Sequence, residues 1–275
     1  MENKKIFNLI SINLVAWTLS LILVAPLILI LFNALKTSLL ASEMSLAFPQ
    51  MPIQWSNFSI VIEKGKLIQS FVNSTIYSVG SVLLCTGLSA MCAYVLSRNR
   101  NKLNKFIYIF IVLGIAMPIN FVTLMKVMQS MQLMNSTIGI ILLYAAVQTP
   151  FTIFLIYGFI GKIPVDLDEA GIIDGCTPLK LFFKIILPLL KPVLVTTIVL
   201  TFLNTWNEFI IPLYFLNSSA KWPMTLAVYN FFGMYFKDWN LVSADIVLTS
   251  LPVIIVYLLG QKYIVAGMTS GAVKG

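Results

Sequence analysis

The feature that most constrains this chain is a series of long apolar runs that contain no charged residue. Uncharged runs cover residues 6–35, 67–97, 106–125 and 127–161, and each reaches the roughly 20 residues that a helix needs to cross a bilayer. The composition agrees, because 59% of the 275 residues are hydrophobic and the mean hydropathy is +0.93. The sequence therefore predicts an all-α polytopic membrane protein.

Two further apolar segments bring the predicted number of transmembrane helices to six. The fifth is interrupted by Glu208, and the sixth carries Pro252 and ends near Lys262. A single transmembrane domain of residues 1–275 is expected. Lys4 and Lys5 precede the first run, but that run is about twice as long as the apolar core of a signal peptide, so we interpret it as a retained span. The spans are predicted at about residues 10–35, 71–97, 106–126, 138–161, 193–216 and 245–265.

Lysine and arginine in the loops predict the orientation. If the N-terminus is cytoplasmic, the cytoplasmic segments hold 12 of these residues and the outer segments hold 6. The positive-inside rule therefore places both termini in the cytoplasm. The same bias explains the net charge of +8, and no single loop concentrates enough of that charge to predict nucleic-acid binding.

Several kinds of chemistry are disfavoured by what the sequence lacks. It contains no histidine, and Cys85, Cys92 and Cys176 are scattered, so neither a metal cluster nor a disulfide framework is predicted. Gly161 and Lys162 do not form a nucleotide-binding loop, because the preceding glycine and the following hydroxyl residue of that motif are missing. The chain is expected not to be an enzyme and not to hydrolyse ATP itself.

The segment VDLDEAGIIDGCTP, residues 165–178, gathers four carboxylates in a chain of which only 10% is charged. Residues 165–174 are predicted to form a short helix with acids in its first turns, where the positive helix end favours them. Gly175 suits a left-handed C-terminal cap. We therefore expect a short acidic helix on the cytoplasmic side, closed by a glycine turn.

A second helix is predicted directly after this turn. Thr177 is a suitable N-cap and Pro178 a suitable first residue. The helix is expected over residues 179–187, and Pro188 ends or bends it. The whole unit is a helix hairpin.

Two interpretations of the hairpin stand side by side. It can be a mere connection between spans, as most short loops are. However, Ala170 and Gly171 leave one side of the first helix nearly bare, and a mid-helix glycine costs up to about 1 kcal/mol relative to alanine. That cost indicates a packing reason, such as the close approach of another protein.

A polar stripe is predicted in the fifth span. A carboxylate within a span carries an insertion penalty of about 2.5 to 3.5 kcal/mol and normally faces a cavity or a partner. The stripe either lines a solute path, where a polyol would find donors and acceptors, or joins helices by structural hydrogen bonds; the sequence favours neither. At about 100° per residue the residues on one face are Thr201, Asn204, Thr205 and Glu208, with Asn207 farther round.

The predicted outer residues 217–244 are rich in aromatic side chains. Exposed tryptophan and tyrosine near a bilayer most often anchor a protein at the membrane interface. A docking surface for a partner is the alternative. The aromatic residues are Trp222, Tyr229, Phe231, Phe232, Tyr235, Phe236 and Trp239.

The hairpin also resembles a known family. Its EAG triplet at residues 169–171, the Asp174-Gly175 pair and the IILP sequence at residues 185–188 are similar to the EAA loop of the inner-membrane permeases of ABC importers. The resemblance extends along the chain and is strongest with the MalG-like, carbohydrate-importer branch, although Gly171 stands where that family more often has a second alanine. Further matching positions are Asn73-Ser74, Ala93-Tyr94, Ser97-Arg98, Trp206-Asn207-Glu208 and residues 267–275.

This resemblance implies a type I ABC importer (MetI-like) permease fold with a coupling loop at residues 162–191. It implies a non-catalytic subunit in a bacterial inner membrane that moves a sugar or oligosaccharide into the cell, with no cofactor of its own. The implied partners are a second permease subunit, two ATP-binding subunits that hold ATP and Mg, an extracytoplasmic solute-binding protein and membrane lipid. No nucleic acid is expected.

The resemblance also implies roles for particular residues. The hairpin would dock in a groove of the ATPase, with its acids facing donors there, and the C-terminal tail would reach the ATPase dimer. The implied ATPase-coupling residues are Asp166, Asp168, Glu169, Ala170, Gly171, Asp174, Gly175 and Pro188. The substrate-path candidates are Thr201, Asn204, Asn207 and Glu208.

Two other classes of protein fit the sequence less well than the importer. A stand-alone secondary transporter usually places several ionisable groups near the midplane of the membrane, whereas Glu208 is well inside a predicted span and Asp245 lies near an end. A membrane-embedded enzyme is disfavoured because paired intramembrane carboxylates and histidine are missing from the sequence. The resemblance, rather than the composition, favours the importer over the carrier.

Overall fold

The described part of the chain is built from helices. The computed structural model describes residues 2–99, 101–231 and 238–272, with side chains for residues 10–99, 101–231 and 238–263, and these ranges contain no strand. The predicted all-α fold is thus confirmed. The α-helices are α1 Glu2–Ala34, α2 Ser38–Ser42, α3 Ser56–Lys64, α4 Leu67–Arg98, α5 Lys102–Leu113, α6 Phe121–Ser130, α7 Thr137–Ile160, α8 Asp166–Ile173, α9 Pro178–Leu181, α10 Leu187–Leu189, α11 Lys191–Trp206, α12 Ile210–Phe215, α13 Met224–Ala227 and α14 Trp239–Ala272.

Long apolar helices occur where the first, second, fourth and sixth spans were predicted. The stretch of α1 is exposed within the chain, whereas those of α4 and α7 are partly buried, so in a membrane α1 needs lipid or another protein around it. Taken together, the helices Pro178–Leu189 and Lys191–Trp206 are also long and apolar enough to cross a membrane, although they are bent by 77° relative to each other. The four apolar stretches are Ile10–Ala34, Leu67–Arg98, Thr137–Ile160 and Trp239–Tyr263.

The segment predicted as a third span, residues 106–126, is not one continuous helix. Helix α5 ends at Leu113, and α6 begins at Phe121. Gly114 caps the end of α5, Pro118 lies in the intervening segment, and the side chain of Asn120 accepts a hydrogen bond from the amide of Thr123 at 3.0 Å. Glycine, proline and an N-cap asparagine together favour a break over a continuous helix, and the sequence prediction overlooked them.

The predicted fifth span, residues 193–216, is also divided. Helix α11 ends at Trp206, and the shorter α12 follows from Ile210. Asn207 and Glu208 occupy the gap, where a polar side chain can bind the backbone groups that a helix end leaves unpaired. The helix therefore breaks at Glu208, the residue that interrupts the apolar segment in the sequence.

The chain packs into two compact units. The units are Met1–Ile68 with Ala227–Leu251, and Gln69–Leu226 with Pro252–Gly275. In the first unit, Asn57 Nδ2 donates to the carbonyl oxygens of Ala34 and Lys36, both at 2.9 Å. Asn57 Oδ1 accepts from Asn240 Nδ2 at 2.9 Å. These bonds join the end of α1, helix α3 and the beginning of α14, because buried amides must find partners.

The second unit has an apolar core beneath the predicted hairpin. It joins α4 and α7 to the second arm of the hairpin and to the beginning of α11. Such a core fixes the hairpin to the long helices by removing apolar surface from solvent. Its buried residues are Ala90, Ala93, Ile153, Ile156, Ile160, Phe182, Ile186, Leu190 and Val193.

The hairpin forms largely as predicted. Gly175 has φ +74°, and the amides of Gly175 and Cys176 donate to the carbonyls of Ile172 and Gly171 at 3.0 and 2.9 Å, the pattern of a Schellman cap. Thr177 caps the second arm by accepting from the amide of Lys180. The predicted glycine cap and threonine N-cap are therefore both present.

The second arm of the hairpin differs from its predicted extent. A π-helical turn covers Phe182–Ile186, and α10 then continues to Leu189. Pro188 lies within α10, and the arm ends one residue later at Leu189. The 77° bend follows at Leu190.

Candidate functional site

The first arm of the hairpin is fastened to the end of α4 by a buried carboxylate. Asp168 is 6% exposed. Its Oδ1 accepts a hydrogen bond from Tyr94 Oη at 2.6 Å, and its Oδ2 lies 2.8 Å from Arg98 Nη2. Arg98 Nη1 also donates to the carbonyl of Ile163 at 3.1 Å. The expectation that Asp168 faces an ATPase is therefore wrong, since its charge is used inside the chain.

Gly171 is also turned inward. A Cβ atom at this position would lie 2.5 Å from Leu181 Cδ1 and 2.9 Å from Ile185 Cδ1, so the bare side of α8 packs against the second arm of the hairpin. The interpretation that Gly171 allows another protein to approach is corrected accordingly. Its neighbour Ala170 is exposed, as that interpretation requires.

The outward surface of the hairpin combines acids with large apolar side chains. The remaining coupling candidates, Asp166, Glu169, Asp174, Gly175 and Pro188, are exposed. The sequence analysis missed the apolar residues, although their position beside the Asp-Gly turn of a surface hairpin could have identified them. Exposed large apolar residues in a group are typical of a protein-binding surface. They are Ile172, Ile173, Leu179 and Phe183, with Ile173 84% exposed.

Part of the polar stripe in α11 is used within the helix itself. Thr201 and Thr205 are buried, and the Thr205 hydroxyl donates to the Thr201 carbonyl. Asn207 is exposed, and its Nδ2 donates to the carbonyl of Leu203 at 2.9 Å. A hydroxyl bond to the preceding turn satisfies the side chain of Thr205, and Thr201 is buried, so these two residues offer little to a solute.

Another part of the stripe meets α7. Asn204 is exposed, and its Nδ2 donates to Gln148 Oε1 at 3.3 Å. One turn earlier on α7, Tyr144 is 2% exposed, and its hydroxyl has no hydrogen-bond partner among the described residues. The sequence analysis missed Tyr144 and Gln148. Their spacing of four residues in an apolar run would have indicated a polar helix face.

Glu208 serves as a helix cap. Its Oε1 accepts from the amides of Ile210 and Ile211, at 2.7 and 3.1 Å, and its carbonyl accepts from Thr225 Oγ1 at 2.9 Å. The amides of Ile210 and Ile211 lie at the beginning of α12 and have no acceptor within that helix. A negative charge is favoured at this position. The geometry thus supports the structural interpretation of Glu208.

The family of the chain follows from comparison with known sequences. Residues 85–271 match the family described as the binding-protein-dependent transport system inner membrane component. The chain belongs to this family. The multiple sugar-binding transport system permease protein MsmG of Streptococcus mutans is 36% identical over 259 residues, which cover 92% of this chain and 93% of that protein.

A second relative and a solved structure agree with this assignment. The probable starch degradation products transport system permease protein AmyC of Thermoanaerobacterium thermosulfurigenes is 33% identical over 93% of each chain. A bacterial ABC transporter involved in the import of the acidic polysaccharide alginate superposes with a TM-score of 0.83 and 22% identity, over 96% of this chain and 98% of that one. The resemblance to carbohydrate-importer permeases and the MetI-like fold are both confirmed.

In this permease, the first part of the aromatic segment is held against α4. Asn73 Nδ2 donates to the carbonyls of Ala220 and Trp222 at 3.0 and 3.1 Å, and Tyr77 Oη donates to the carbonyl of Lys221 at 2.8 Å. Side chains that bind successive carbonyls fix the path of a loop. The loop is therefore a defined surface.

The second part of the aromatic segment belongs to the other compact unit. Phe231 is buried, and its ring closes over Gly65, where a Cβ atom would lie 2.7 Å from Phe231 Cζ. Tyr229 is 40% exposed. These two aromatic residues of the permease thus have different surroundings. The following predicted aromatic residues and the end of the tail lie outside the described residues: Phe232, Tyr235, Phe236 and residues 273–275.

Proposed function

We propose that this chain is the transmembrane permease subunit of an ATP-driven importer that moves a sugar or oligosaccharide into the cell. The observation that carries the proposal is the hairpin, whose buried face is fixed to the long helices while its outward face presents Ile172, Ile173 and Leu179. Such a surface outside the membrane calls for a protein partner. The sugar transport named for MsmG and AmyC supports the class of solute.

The partner proposed for this surface is a cytoplasmic ATPase subunit, of which the importer holds two. ATP and Mg are bound there, and this chain is the non-catalytic component. Asp166, Glu169 and Asp174 are exposed on the same hairpin and would meet donors on the ATPase, since charges at an interface favour the correct partner. Closure of the ATPase dimer would move α8 and hence the spans. Both termini are cytoplasmic in this proposal.

The solute path is proposed along α7 and α11. Asn204 and Gln148 offer amide groups, and one turn away lies the buried Tyr144 hydroxyl, which has no hydrogen-bond partner among the described residues. Sugar hydroxyls need several convergent donors and acceptors. Asn207 is exposed directly after the end of α11 and extends the path, whereas the cap geometry of Glu208 assigns that residue a supporting role.

A second permease subunit is proposed from the break between α5 and α6. Residues 114–120 are non-helical and exposed, although they lie within a predicted span. Non-helical backbone at membrane depth is tolerated only where it is buried in protein or lines a water-filled cavity. A partner subunit and the aqueous path between the two would provide these surroundings.

An extracytoplasmic solute-binding protein is the partner proposed for the loop of residues 219–224. Asn73 and Tyr77 hold this loop in place, and a preorganised surface loses less conformational entropy on binding. Membrane lipid would surround the exposed apolar stretch of α1.

The secondary transporter is the weaker alternative. Ion-coupled carriers need ionisable groups that can exchange an ion near the midplane. Glu208 instead accepts two backbone hydrogen bonds, so its charge is used to stabilise α12.

The proposal is tested by mass spectrometry of the proteins that copurify with a tagged chain from native membranes in mild detergent. Ile173→Glu places a charge in the apolar surface, and Leu39→Glu, at a similarly exposed apolar residue of α2, is the matched control. We expect the wild type and Leu39→Glu to recover an ATPase subunit, and Ile173→Glu to lose it. Recovery of the wild type without an ATPase, with uptake in liposomes that needs no ATP, would refute the importer.

A further inference from the structure

Helix α4 makes polar contacts near both of its ends. Near its end at Arg98, Tyr94 and Arg98 hold the buried carboxylate of Asp168. Near its beginning, Ser74 Oγ accepts from the amide of Met224 at 2.8 Å, beside the bonds that Asn73 and Tyr77 make to the same loop. One helix therefore contacts both the coupling hairpin and the loop of residues 219–224.

We propose that Tyr94 and Arg98 are positioning residues for coupling, which link α8 through Asp168 to α4 and thereby to the loop of residues 219–224. This inference rests on the proposed importer function. A displacement of α8 is transmitted along α4 and changes the position of the loop. No contact between Tyr94 or Arg98 and the ATPase is required, because both act through Asp168.

The contacts around Asp168 suit the transmission of force. Two hydrogen bonds and one ion pair join α8, α4 and the chain preceding α8: Tyr94 donates to Asp168, Arg98 donates to the carbonyl of Ile163, and Arg98 Nη2 pairs with Asp168 Oδ2. An arginine fork fixes geometry better than a lysine can. A buried ion pair is a weak source of net stability, because desolvation offsets its attraction, which leaves geometry as the stronger reason for its presence.

Helix α4 itself is suited to act as a rod. It runs from Leu67 to Arg98 without a break, and its sequence contains no proline, whereas the other long helices carry Pro26, Pro150 and Pro252. Proline removes a hydrogen bond and bends a helix. At 1.5 Å per residue, the contacts at Asn73 and Arg98 are about 37 Å apart along the helix axis, a distance that a continuous helix can span without losing register.

The test measures how accessible the loop of residues 219–224 is to a labelling reagent, while the substitutions are made at Asp168 and Arg98. In a variant without the native cysteines, Ser219→Cys is labelled with a membrane-impermeant maleimide, in nanodiscs that contain the complex with its copurified ATPase. The quantity is the ratio of labelling rates between the nucleotide-free state and the state trapped with MgATP and vanadate. When the α4 contacts are intact, we expect the two labelling rates to differ, so that their ratio is not unity. The native cysteines to be replaced are Cys85, Cys92 and Cys176.

The variants separate positioning from mere structure. Asp168→Asn and Arg98→Lys should retain the ATPase subunit but bring the labelling ratio to unity. The exchange Arg98→Asp with Asp168→Arg should restore part of the difference between the two labelling rates. Lys105→Gln removes an exposed positive charge near the same end of α4 and should leave the ratio unchanged. Arg98→Lys retains the positive charge and serves as the second variant if Asp168→Asn does not fold.

Three results would overturn the inference. The first is a labelling ratio of unity in the protein that keeps Asp168 and Arg98. The second is a ratio in Asp168→Asn and Arg98→Lys that equals the ratio of that protein. The third is loss of the ATPase from these two variants, which would mean that the contacts only shape the docking surface. Failure of the importer proposal is distinguishable, because the wild-type chain would then recover no ATPase at all.

Discussion

The role of Glu208 can be tested by comparing two substitutions that remove different parts of its carboxylate. Glu208→Gln keeps an oxygen acceptor for the amides of Ile210 and Ile211 but removes the negative charge at the beginning of α12. Glu208→Ala removes both. If Glu208 is a helix cap, as its two bonds indicate, alanine must be the more damaging change.

The magnitudes follow from these contacts. A charge at a helix N-terminus contributes about 0.3–1 kcal/mol, so Glu208→Gln should lower the free energy of unfolding by less than about 1 kcal/mol. Alanine removes a cap, at about 0.5–2 kcal/mol, and leaves the amide of Ile211, a residue that is 2% exposed, without its acceptor. We expect about 2 kcal/mol for alanine, near the middle of the range for an unsatisfied buried donor.

The assay is the midpoint of thermal unfolding of the complex in detergent, followed by fluorescence-detected size exclusion. At about 2–4 °C per kcal/mol for a chain of this size, alanine should lower the midpoint by about 4–8 °C and glutamine by less than about 4 °C. Asn207→Ala is the control, because its amide binds a carbonyl of its own helix at an exposed position. Equal midpoints for Glu208→Ala and the wild type, together with lost uptake, would refute the cap and favour a solute-contacting role.

Three further predictions concern the hairpin and the proposed path. Gly175→Ala should destabilise the turn by about 1–2 kcal/mol, because φ is +74°, and Gly175→Pro, which also removes the Schellman donor, should abolish uptake while the protein remains in membranes on immunoblots. Gly171→Ala should be tolerated, since Leu181 and Ile185 meet the new atom with flexible side-chain ends, whereas Gly171→Leu should lower the yield of the complex. Gln148→Ala should raise the KM for uptake of a sugar more than it lowers the unfolding midpoint; the reverse order would contradict the path.

The hairpin shows what the sequence can predict. Its turn depends on local chemistry, in which Gly175 adopts a positive φ and Thr177 caps the next helix. Residues that act on their own backbone reveal that role by type and position. The long spans can also be predicted from the sequence, since a bilayer sets their length and polarity.

Contacts between distant residues could not be predicted in this way. Asp168 and Tyr94 are 74 residues apart, and nothing in an acidic run distinguishes the carboxylate that turns inward. The break between α5 and α6 was missed for a different reason. Hydropathy registers the absence of charge in residues 106–125, whereas Gly114, Pro118 and Asn120 act through backbone geometry.

The positions of Asp168 and Gly171 explain how one short helix serves two surfaces. Asp168 and Gly171 are three residues apart and therefore share a side of α8. Both are buried, because this side contacts Arg98 and the second arm of the hairpin. Asp166, Glu169 and Ile173 are exposed on α8 and remain available to a partner. If the proposed partner pushes the outer side of α8, the contacts that Asp168 makes on the inner side would carry that force to α4.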